Sequence, residues 1–463
     1  MAVIYFLFLS GAKSVLLCVQ ILKIDMELLI RILTFVLIIS ILVILHEFGH
    51  YLPAKYFKIK VEKFYLFFDW KFSLFKKKIG ETEWGIGWLP LGGYVKIAGM
   101  IDESMDTEQM KKDPEPWEFR SKPAWQRLIV MVGGVTVNFF LAWIIYTGLL
   151  AVNGDTYIPS NTLKYGIVVD SVGEKIGLKT GDQILAIDGK KSKKFTDAQV
   201  DILLGDELTV NRDGQEITFP IKEEALADVL SSQGKNFLGY RQKTVIDSVL
   251  PNSPADKAGV LAGDEIVSVN DEPNTFNNEF ISKIISSANE PIQIGFMRDG
   301  RLQKLNLTVP EEGVIGVFMS RDDLFVTDEY DLLAAIPAGF NETIDVLTNQ
   351  VKQFKIIFNT KTKGYKAVKG PIGIVEMMPA KWNWNFFWGF LAMFSVWLAF
   401  VNLLPIPALD GGHVMFLLYE MISGRAPSEK VLERGQIAGF VIVMGLMVVI
   451  FGNDIWNIIK RFL

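Results

Sequence analysis

The most constraining feature of this sequence is an uncharged run, Ile32–Leu45, that leads directly into His46-Glu47-Phe48-Gly49-His50. Its 14 residues would form about 21 Å of α-helix, whereas the hydrocarbon core of a bilayer is about 30 Å thick. A helix that crosses the membrane here must therefore continue through the histidines and the glutamate. Ionisable groups at membrane depth are costly and mark a functional site.

Three more apolar runs, Trp125–Leu150, Trp384–Leu404 and the shorter Ile437–Phe451, are candidates to cross a bilayer. Half of the residues are hydrophobic and only 21% are charged, a composition unusual for a soluble protein. We predict a polytopic α-helical membrane protein surrounded by lipid, with four core transmembrane helices at 26–55, 123–152, 382–412 and 434–460. The net charge of −5 gives no basis for a nucleic-acid partner.

The positions of lysine and arginine predict the orientation of these helices, because loops rich in these residues stay in the cytoplasm. The segment 56–122 contains the Lys76-Lys77-Lys78 run, and the loop before the last helix contains Arg425, Lys430 and Arg434. Both are expected to be cytoplasmic, and the long segment between the second and third helices extracytoplasmic. The first and third helices then run in the same direction.

His46-Glu47-Phe48-Gly49-His50 is an H-E-x-x-H motif. Residues four apart share one face of a helix, so that His46 and His50 can bind one metal ion, and Glu47 can act as general base. The sequence contains three histidines, so a chance occurrence of this spacing is improbable. The motif predicts a zinc site.

A catalytic zinc needs a third protein ligand and an open position. The remaining histidine, His413, and its neighbour Asp410 lie just after Pro405 and Pro407, which end regular helix. Because the first and third helices run in the same direction, this segment and the histidine pair are expected at similar depth. Either Asp410 or His413 can complete the site, and the donor chemistry favours Asp410.

The two motifs together resemble the site-2 protease family of intramembrane zinc metalloproteases, in the RseP-type branch of peptidase family M50. The resemblance covers residues 26–463 and implies that the zinc ligands are His46, His50 and Asp410. It further implies that Glu47 is the general base and that Asn402 contacts the substrate backbone near the scissile bond.

The resemblance also implies the substrate class and the location. The substrate would be a single-pass membrane protein already trimmed outside the membrane, such as an anti-sigma factor or a signal-peptide remnant. The protein would lie in a bacterial cytoplasmic (inner) membrane, with its active site toward the cytoplasm.

The loop after the first helix predicts a β-hairpin over Trp84–Met100, because β-branched and apolar residues alternate around Gly92 and Gly93. In the family, a similar P-L-G-G-Y-V-K segment enters the membrane and presents an edge strand to the unwound substrate. Gly92, Gly93 and Tyr94 are therefore expected to contact substrate, and 56–122 is expected to be a membrane-re-entrant β region. A cytoplasmic hairpin without a catalytic role is the alternative.

The extracytoplasmic segment contains an internal repeat. The Gly181-Asp182 pair recurs 82 residues later as Gly263-Asp264 (264 − 182 = 82). Arg212-Asp213-Gly214 likewise recurs as Arg298-Asp299-Gly300, and both of these segments are typical of a hairpin turn. The pattern resembles bacterial PDZ domains, which we expect at 155–235 and 236–312. Phe237–Tyr240 resembles the loop that binds a peptide's C-terminal carboxylate, so the second copy is expected to bind a peptide or C-terminus. Two modules that only filter substrates by size are the alternative.

Two segments remain. Residues 1–25 are an apolar extension that suggests an upstream start or a peripheral stretch. Apolar residues at helical spacing predict an amphipathic helix at 328–362, either at the outer membrane face or packed against the spans.

Two other functional classes compete with a protease. A metal transporter would also place histidine and aspartate in the membrane, but it has no use for a base beside the first ligand or for paired PDZ-like domains. A scaffold that kept zinc only for its structure would bind the metal without turnover.

Overall fold

A computed structural model describes residues 2–100, 113–231, 237–320, 324–362 and 364–462. The chain divides into two compact units, residues 1–154, 329–352 and 368–463 in the first and residues 155–328 and 353–367 in the second. Within the described residues, four helices are long and apolar enough to cross a membrane: Met26–Tyr56, Ala124–Asn153, Trp384–Leu403 and Lys430–Lys460. The predicted set of four core helices is confirmed.

The helices are α1 Ala2–Tyr56, α2 Ala124–Asn153, α3 Ser171–Ile176, α4 Phe195–Leu204, α5 Glu223–Ser231, α6 Pro254–Ala258, α7 Asn277–Ser286, α8 Leu332–Phe358, α9 Pro371–Met377, α10 Trp384–Leu403, α11 Asp410–Ser423 and α12 Glu429–Phe462. The strands are β1 Val61–Ile79, β2 Thr82–Ile97, β3 Asp155–Tyr157, β4 Ile167–Val169, β5 Gln183–Ile187, β6 Lys190–Lys191, β7 Glu207–Arg212, β8 Gln215–Pro220, β9 Leu238–Tyr240, β10 Ile246–Val249, β11 Glu265–Val269, β12 Glu272–Pro273, β13 Pro291–Arg298, β14 Arg301–Thr308, β15 Val317–Met319 and β16 Val326–Asp328.

The membrane unit is built around α2, which packs against α1, α10 and α11. Its apolar core joins Ile38 and Leu42 of α1 to Ala142 of α2 and to Leu391 and Val396 of α10, all of them buried. Many large apolar side chains on the other faces of these helices are exposed. Lipid would cover such faces in a membrane protein.

Helix α8 packs against α2 through its small residues. Ala335, Gly339 and Thr343 are its buried side, and a Cβ at Gly339 would come within 2.6 Å of the backbone nitrogen of Thr147. Trp143 donates a hydrogen bond of 2.8 Å to the carbonyl of Ile336. Of the two predicted positions for this helix, packing against a span is the one observed.

Strands β1 and β2 form an antiparallel pair in which both strands bend, and this corrects the predicted hairpin around Gly92-Gly93. Residues 61–66 pair with 93–97 on one side, and 63–66 pair with 83–86 on the other, while 73–79 pair with 82–87. The hairpin turn is Gly80-Glu81, because Ile79 pairs with Thr82 and Gly80 has a φ of +62°. Gly92, at a φ of +148°, bends β2 instead of reversing it. Residues 93–97 are thus an edge arm of the sheet.

The second unit contains two copies of one arrangement. The strand orders β6-β5-β7-β8 and β12-β11-β13-β14 are equivalent, and each copy adds a two-stranded pair, β4 with β9 and β10 with β15. Both predicted hairpin turns are confirmed, since Arg212 pairs with Gln215 and Arg298 with Arg301 across them. The repeat in sequence is therefore a repeat in structure.

Each copy buries the same ion pair, which explains why both motifs recur together. Arg212 Nε and Nη2 each donate to the Asp182 carboxylate at 2.7 Å. Arg298 contacts Asp264 in the same bidentate way, at 2.7 and 2.6 Å. Both aspartates are only 1% exposed, and a buried charge of this kind must be paired and hydrogen-bonded. The arginine of each hairpin turn supplies the positive charge that pairs with the buried aspartate.

The predicted boundary between the copies, at 235/236, is wrong. Phe237 and Leu238 belong to the apolar core of the first copy, and β9 pairs with β4. The equivalent strand of the second copy, β15, lies beyond the predicted end at residue 312 and pairs with β10. The proposed carboxylate loop Phe237–Tyr240 therefore belongs to the first copy.

Asp454, on α12, holds the short helix α9. Its carboxylate accepts hydrogen bonds from the backbone N–H groups of Gly370, Ile372 and Gly373 at 2.9 to 3.1 Å. These are donors at a helix N-terminus that have no partner within their own helix. Arg31 of α1 donates to the carbonyl of Glu376 at 2.6 Å. Helix α9 is thus held between the first and last spans.

We expect Asp454→Ala to lower the free energy of unfolding by about 1–3 kcal/mol, because it leaves buried N–H donors unpaired. Thermal unfolding in detergent measures the change. Glu433→Ala, an exposed acidic residue on the same helix, is the control and should leave the melting temperature unchanged. Equal stability of the two variants would contradict the role of Asp454.

Candidate metal centre

Three side chains converge on one point in the membrane unit. Nε2 of His46 and Nε2 of His50 lie 3.3 Å apart, and each lies 3.3 Å from Oδ2 of Asp410. Both imidazoles are buried. Among the residues that the structure describes, this His-His-Asp set can hold a metal ion. Of the two predicted third ligands, Asp410 joins the histidines, and His413 is not part of the set.

The set has the dimensions that zinc requires. Tetrahedral zinc bonded at about 2.0–2.1 Å to nitrogen and oxygen places its donors about 3.3–3.4 Å apart. Asp410 Oδ2 is buried without a hydrogen bond to any described residue, and a buried carboxylate oxygen needs a partner. Two imidazoles and one carboxylate are also a known donor set for catalytic zinc. The residues therefore fit the metal.

Asp410 reaches the histidines because the chain reverses tightly after α10. That helix ends at Leu403, and Asp410 is the first residue of α11, so the segment 382–412 is interrupted at Pro405 and Pro407, as the sequence predicts. A Cβ at Gly411 would collide with the carbonyl oxygens of Leu403 and Leu404. Pro405, Pro407 and the glycine pair together allow this close return.

Three glycines let α1 and α2 approach at the site. A Cβ at Gly49 would come within 2.6 Å of the backbone of α2, and one at Gly133 would collide with the carbonyl of Gly49. A Cβ at Gly134 would lie 2.4 Å from Nε2 of His50, 2.6 Å from Cε1 of His46 and 2.8 Å from Nδ1 of His46. Small residues at such contacts are typical of membrane helices. Here they make room for the imidazole rings.

The other ring nitrogens also have neighbours. His50 Nδ1 lies 2.9 Å from the backbone carbonyl oxygen of Val130, and His46 Nδ1 lies 3.2 Å from Asn138 Nδ2. Asn402, near the end of α10, places its Nδ2 3.2 Å from His46 Nε2. Asn402 thus lies beside the predicted metal ligands, as a substrate-contacting residue would have to.

The β1–β2 sheet packs against the helix that carries the histidines. Phe48, inside the H-E-x-x-H motif, contacts Phe64 and Trp84 with ring centroids 4.9 and 6.0 Å away. A Cβ at Gly93 would lie 2.5 Å from a methyl of Val43. The edge arm that contains Gly93 therefore lies against α1, about one turn before the motif.

Tyr94 differs from the other predicted substrate-contacting residues in being engaged within the sheet. Its hydroxyl donates to Asp69 Oδ1 at 3.0 Å, and its ring stacks on Tyr65 with centroids 5.3 Å apart. Burial raises the pKa of Tyr65 to about 12, and its hydroxyl donates to Glu83 at 2.7 Å. These two hydrogen bonds link β1 to both ends of β2, one through Tyr94 and the other through Glu83.

Comparison with known proteins decides the family. The family model of peptidase family M50 matches residues 34–446, most of the chain. The chain belongs to peptidase family M50. The predicted family is thereby confirmed, and with it a zinc metalloprotease of the membrane.

Curated relatives are similar in sequence to this chain over nearly their whole length. A Rickettsia conorii protein whose name describes a zinc metalloprotease is 28% identical over 441 residues, covering 93% of this chain and 99% of the relative. RseP of Escherichia coli, named as the regulator of sigma-E protease, is 28% identical over 452 residues, covering 91% of this chain and 97% of the relative. RseP of Salmonella typhimurium is 26% identical over 450 residues.

Sequence analysis missed the part of the site that α2 supplies. Gly133, Gly134 and Asn138 lie beside the histidines, and no role in the metal site was predicted for any of them. The available signals were a pair of glycines and one amide side chain inside an otherwise apolar span.

We expect Gly134→Ala to weaken zinc binding by about 10-fold or more, because the methyl group would displace the rings of His50 and His46, and misplaced supporting contacts cost metal affinity on this scale. Competition with a chelator measures the dissociation constant. Gly148→Ala is the matched control on the same helix, since nothing lies within 4 Å of a Cβ there. Equal affinities in the two variants would refute the close-packing argument.

Proposed function

We propose that this M50 protease cleaves a peptide bond within or near the transmembrane segment of a single-pass membrane protein. The observation that carries the proposal is the His46-His50-Asp410 set on helices apolar enough to span a bilayer. A peptide bond hydrolysed there must be presented at membrane depth. By analogy with the sigma-E regulators among its relatives, the substrate class is a regulatory protein or a signal-peptide remnant already shortened outside the membrane.

In this proposal His46, His50 and Asp410 hold zinc. The metal, when bound, supplies Lewis-acid activation of water and of the scissile carbonyl. Glu47 takes a proton from the attacking water and later delivers it to the leaving amine. Its position supports this role, since it follows His46 on α1, is partly buried, and has no hydrogen-bond partner among the described side chains.

The substrate must be extended before it can be cut, because a transmembrane helix satisfies its own backbone hydrogen bonds. Two features of the protein could form new hydrogen bonds with the substrate backbone in place of those lost when its helix unwinds. Among the described residues, the 93–97 arm pairs with a strand on one side only, through 61–66, and Asn402 carries an amide beside His46. We propose that Gly92 and Gly93 shape this arm, that the arm pairs with the extended substrate, and that Asn402 bonds its backbone near the scissile bond.

The repeated domains are proposed to be PDZ-like modules on the extracytoplasmic side, with the metal centre toward the cytoplasm. The shared strand order and the repeated ion pair support two modules of one kind. The short two-stranded pairs, β4–β9 and β10–β15, are where a bound peptide would add a strand. Either peptide binding or simple bulk lets them select substrates by the size of their extracytoplasmic part.

Glu47→Gln is expected to abolish cleavage while zinc remains bound, because the substitution removes the base and leaves all three proposed ligands. The measurement is cleavage of a trimmed single-pass reporter by purified protein in detergent, with zinc content determined on the same samples. His46→Ala removes a proposed ligand and should lose both the cleavage activity and the bound zinc. Wild-type protein that binds zinc yet cuts no trimmed reporter would count against the proposed substrate class, and cleavage by Glu47→Gln would count against its role.

Asn402→Ala should lower kcat/KM roughly 10- to 100-fold, the cost of a buried hydrogen bond to substrate, at unchanged zinc content. Steady-state cleavage of the same reporter measures it. Asn383→Ala is the control, because Asn383 caps the opposite end of the same helix α10. A loss of zinc in Asn402→Ala would assign Asn402 to the metal site instead of the substrate.

A further inference from the structure

Asn138 is a fully buried polar residue on α2 that the proposed mechanism does not use. It is 0% exposed, and its Nδ2 lies 3.2 Å from Nδ1 of His46. Its Oδ1 is buried and has no hydrogen-bond partner among the described residues. Its backbone carbonyl, in contrast, accepts a hydrogen bond of 2.7 Å from Ser395 on α10. The side chain is thus aimed at one group, the imidazole of His46.

The chemistry of imidazole determines what His46 needs from this neighbour. A neutral imidazole that offers the lone pair of Nε2 to a metal carries its proton on Nδ1, and that N–H requires an acceptor. His50 has one, because its Nδ1 lies 2.9 Å from the carbonyl oxygen of Val130, which can only accept. At Nδ1 of His46 the corresponding group is the amide of Asn138.

An amide can act in either sense, and the two senses have opposite consequences. If Asn138 donates from Nδ2 to His46 Nδ1, the proton of the imidazole sits on Nε2, which faces His50 and Asp410 at 3.3 Å. That tautomer cannot bind zinc through Nε2. If the amide turns by half a rotation about its Cβ–Cγ bond, Oδ1 accepts the proton of Nδ1 and Nε2 is free.

We propose that Asn138 is a positioning residue for the metal, whose Oδ1 accepts the Nδ1–H of His46 and holds this ligand in its zinc-binding tautomer. The inference rests on the proposed ligand set. Helix α2 would then contribute two residues to the site, about one turn apart: Gly134 makes room for the His46 ring, and Asn138 orients it. Such outer partners of metal-bound histidine fix both the tautomer and the ring orientation.

The first test compares three variants by chelator competition for zinc. Asn138→Leu keeps the approximate shape but removes the acceptor, and we expect 10- to 100-fold weaker binding. Asn138→Asp can accept but cannot donate, so it should bind zinc within a few-fold of wild type. Ser395→Ala, which removes the other buried hydrogen bond at Asn138, is the control and should retain wild-type affinity. Wild-type affinity in Asn138→Leu, or equal losses in the Leu and Asp variants, would overturn the proposal.

The second test reads the tautomer directly in the intact protein. With three histidines in the chain, ¹⁵N-histidine labelling gives few signals, and His46→Ala assigns the one of interest. We expect the zinc-loaded wild type to carry the His46 proton on Nδ1, whatever the folding behaviour of the variants. A zinc-loaded His46 without a proton on Nδ1 would overturn the proposal. A wild type that binds no zinc would instead refute the proposed ligand set itself.

Discussion

The membrane-spanning helices bring three electron-rich atoms, Nε2 of His46, Nε2 of His50 and Oδ2 of Asp410, within 3.3 Å of one another at a buried point. Without a cation such an arrangement is unfavourable, because buried lone pairs repel and a buried carboxylate is costly. With zinc it has the spacing that the metal requires. The tight reversal that delivers Asp410 and the glycine contacts between α1 and α2 are both arrangements that serve this one point.

The convergence of His46, His50 and Asp410 could be predicted from sequence because it is local or tied to an unusual motif. His46 and His50 are one helical turn apart, so their spacing alone places them together. The prediction of Asp410 required two further inferences: that the first and third transmembrane helices run in the same direction, and that prolines interrupt the third. Packing between helices could not be predicted in the same way. Which glycine lies against which ring depends on the contact of α1 with α2, and no pattern within either helix specifies it.

The sheet and the repeats were less accurately predicted for two different physical reasons. Gly92-Gly93 has the composition of a hairpin turn, but composition does not distinguish a turn from a bend within a strand, and the partner of 93–97 turned out to be 61–66. At the boundary between the two copies, the last strand of the first copy is β9, which follows the helices of that copy in sequence. A boundary drawn at the next sequence motif therefore assigned β9 to the wrong copy, although its apolar residues fill the first core.

The corrected sheet supports the proposed handling of substrate better than the predicted hairpin would have done. In a hairpin around Gly92-Gly93, the arm 93–97 would pair with 84–89 and could still lie anywhere relative to the helices. In the observed arrangement the arm is fixed on one side by 61–66, and Gly93 lies against α1 near Val43. Aromatic contacts from Phe48 hold the same sheet to the motif itself. A substrate strand added to this edge would therefore be held by the same helix that carries the proposed base and two of the proposed ligands. Extension of the substrate and alignment of its scissile bond would then follow from a single binding event, in which new backbone hydrogen bonds replace those lost when the helix unwinds.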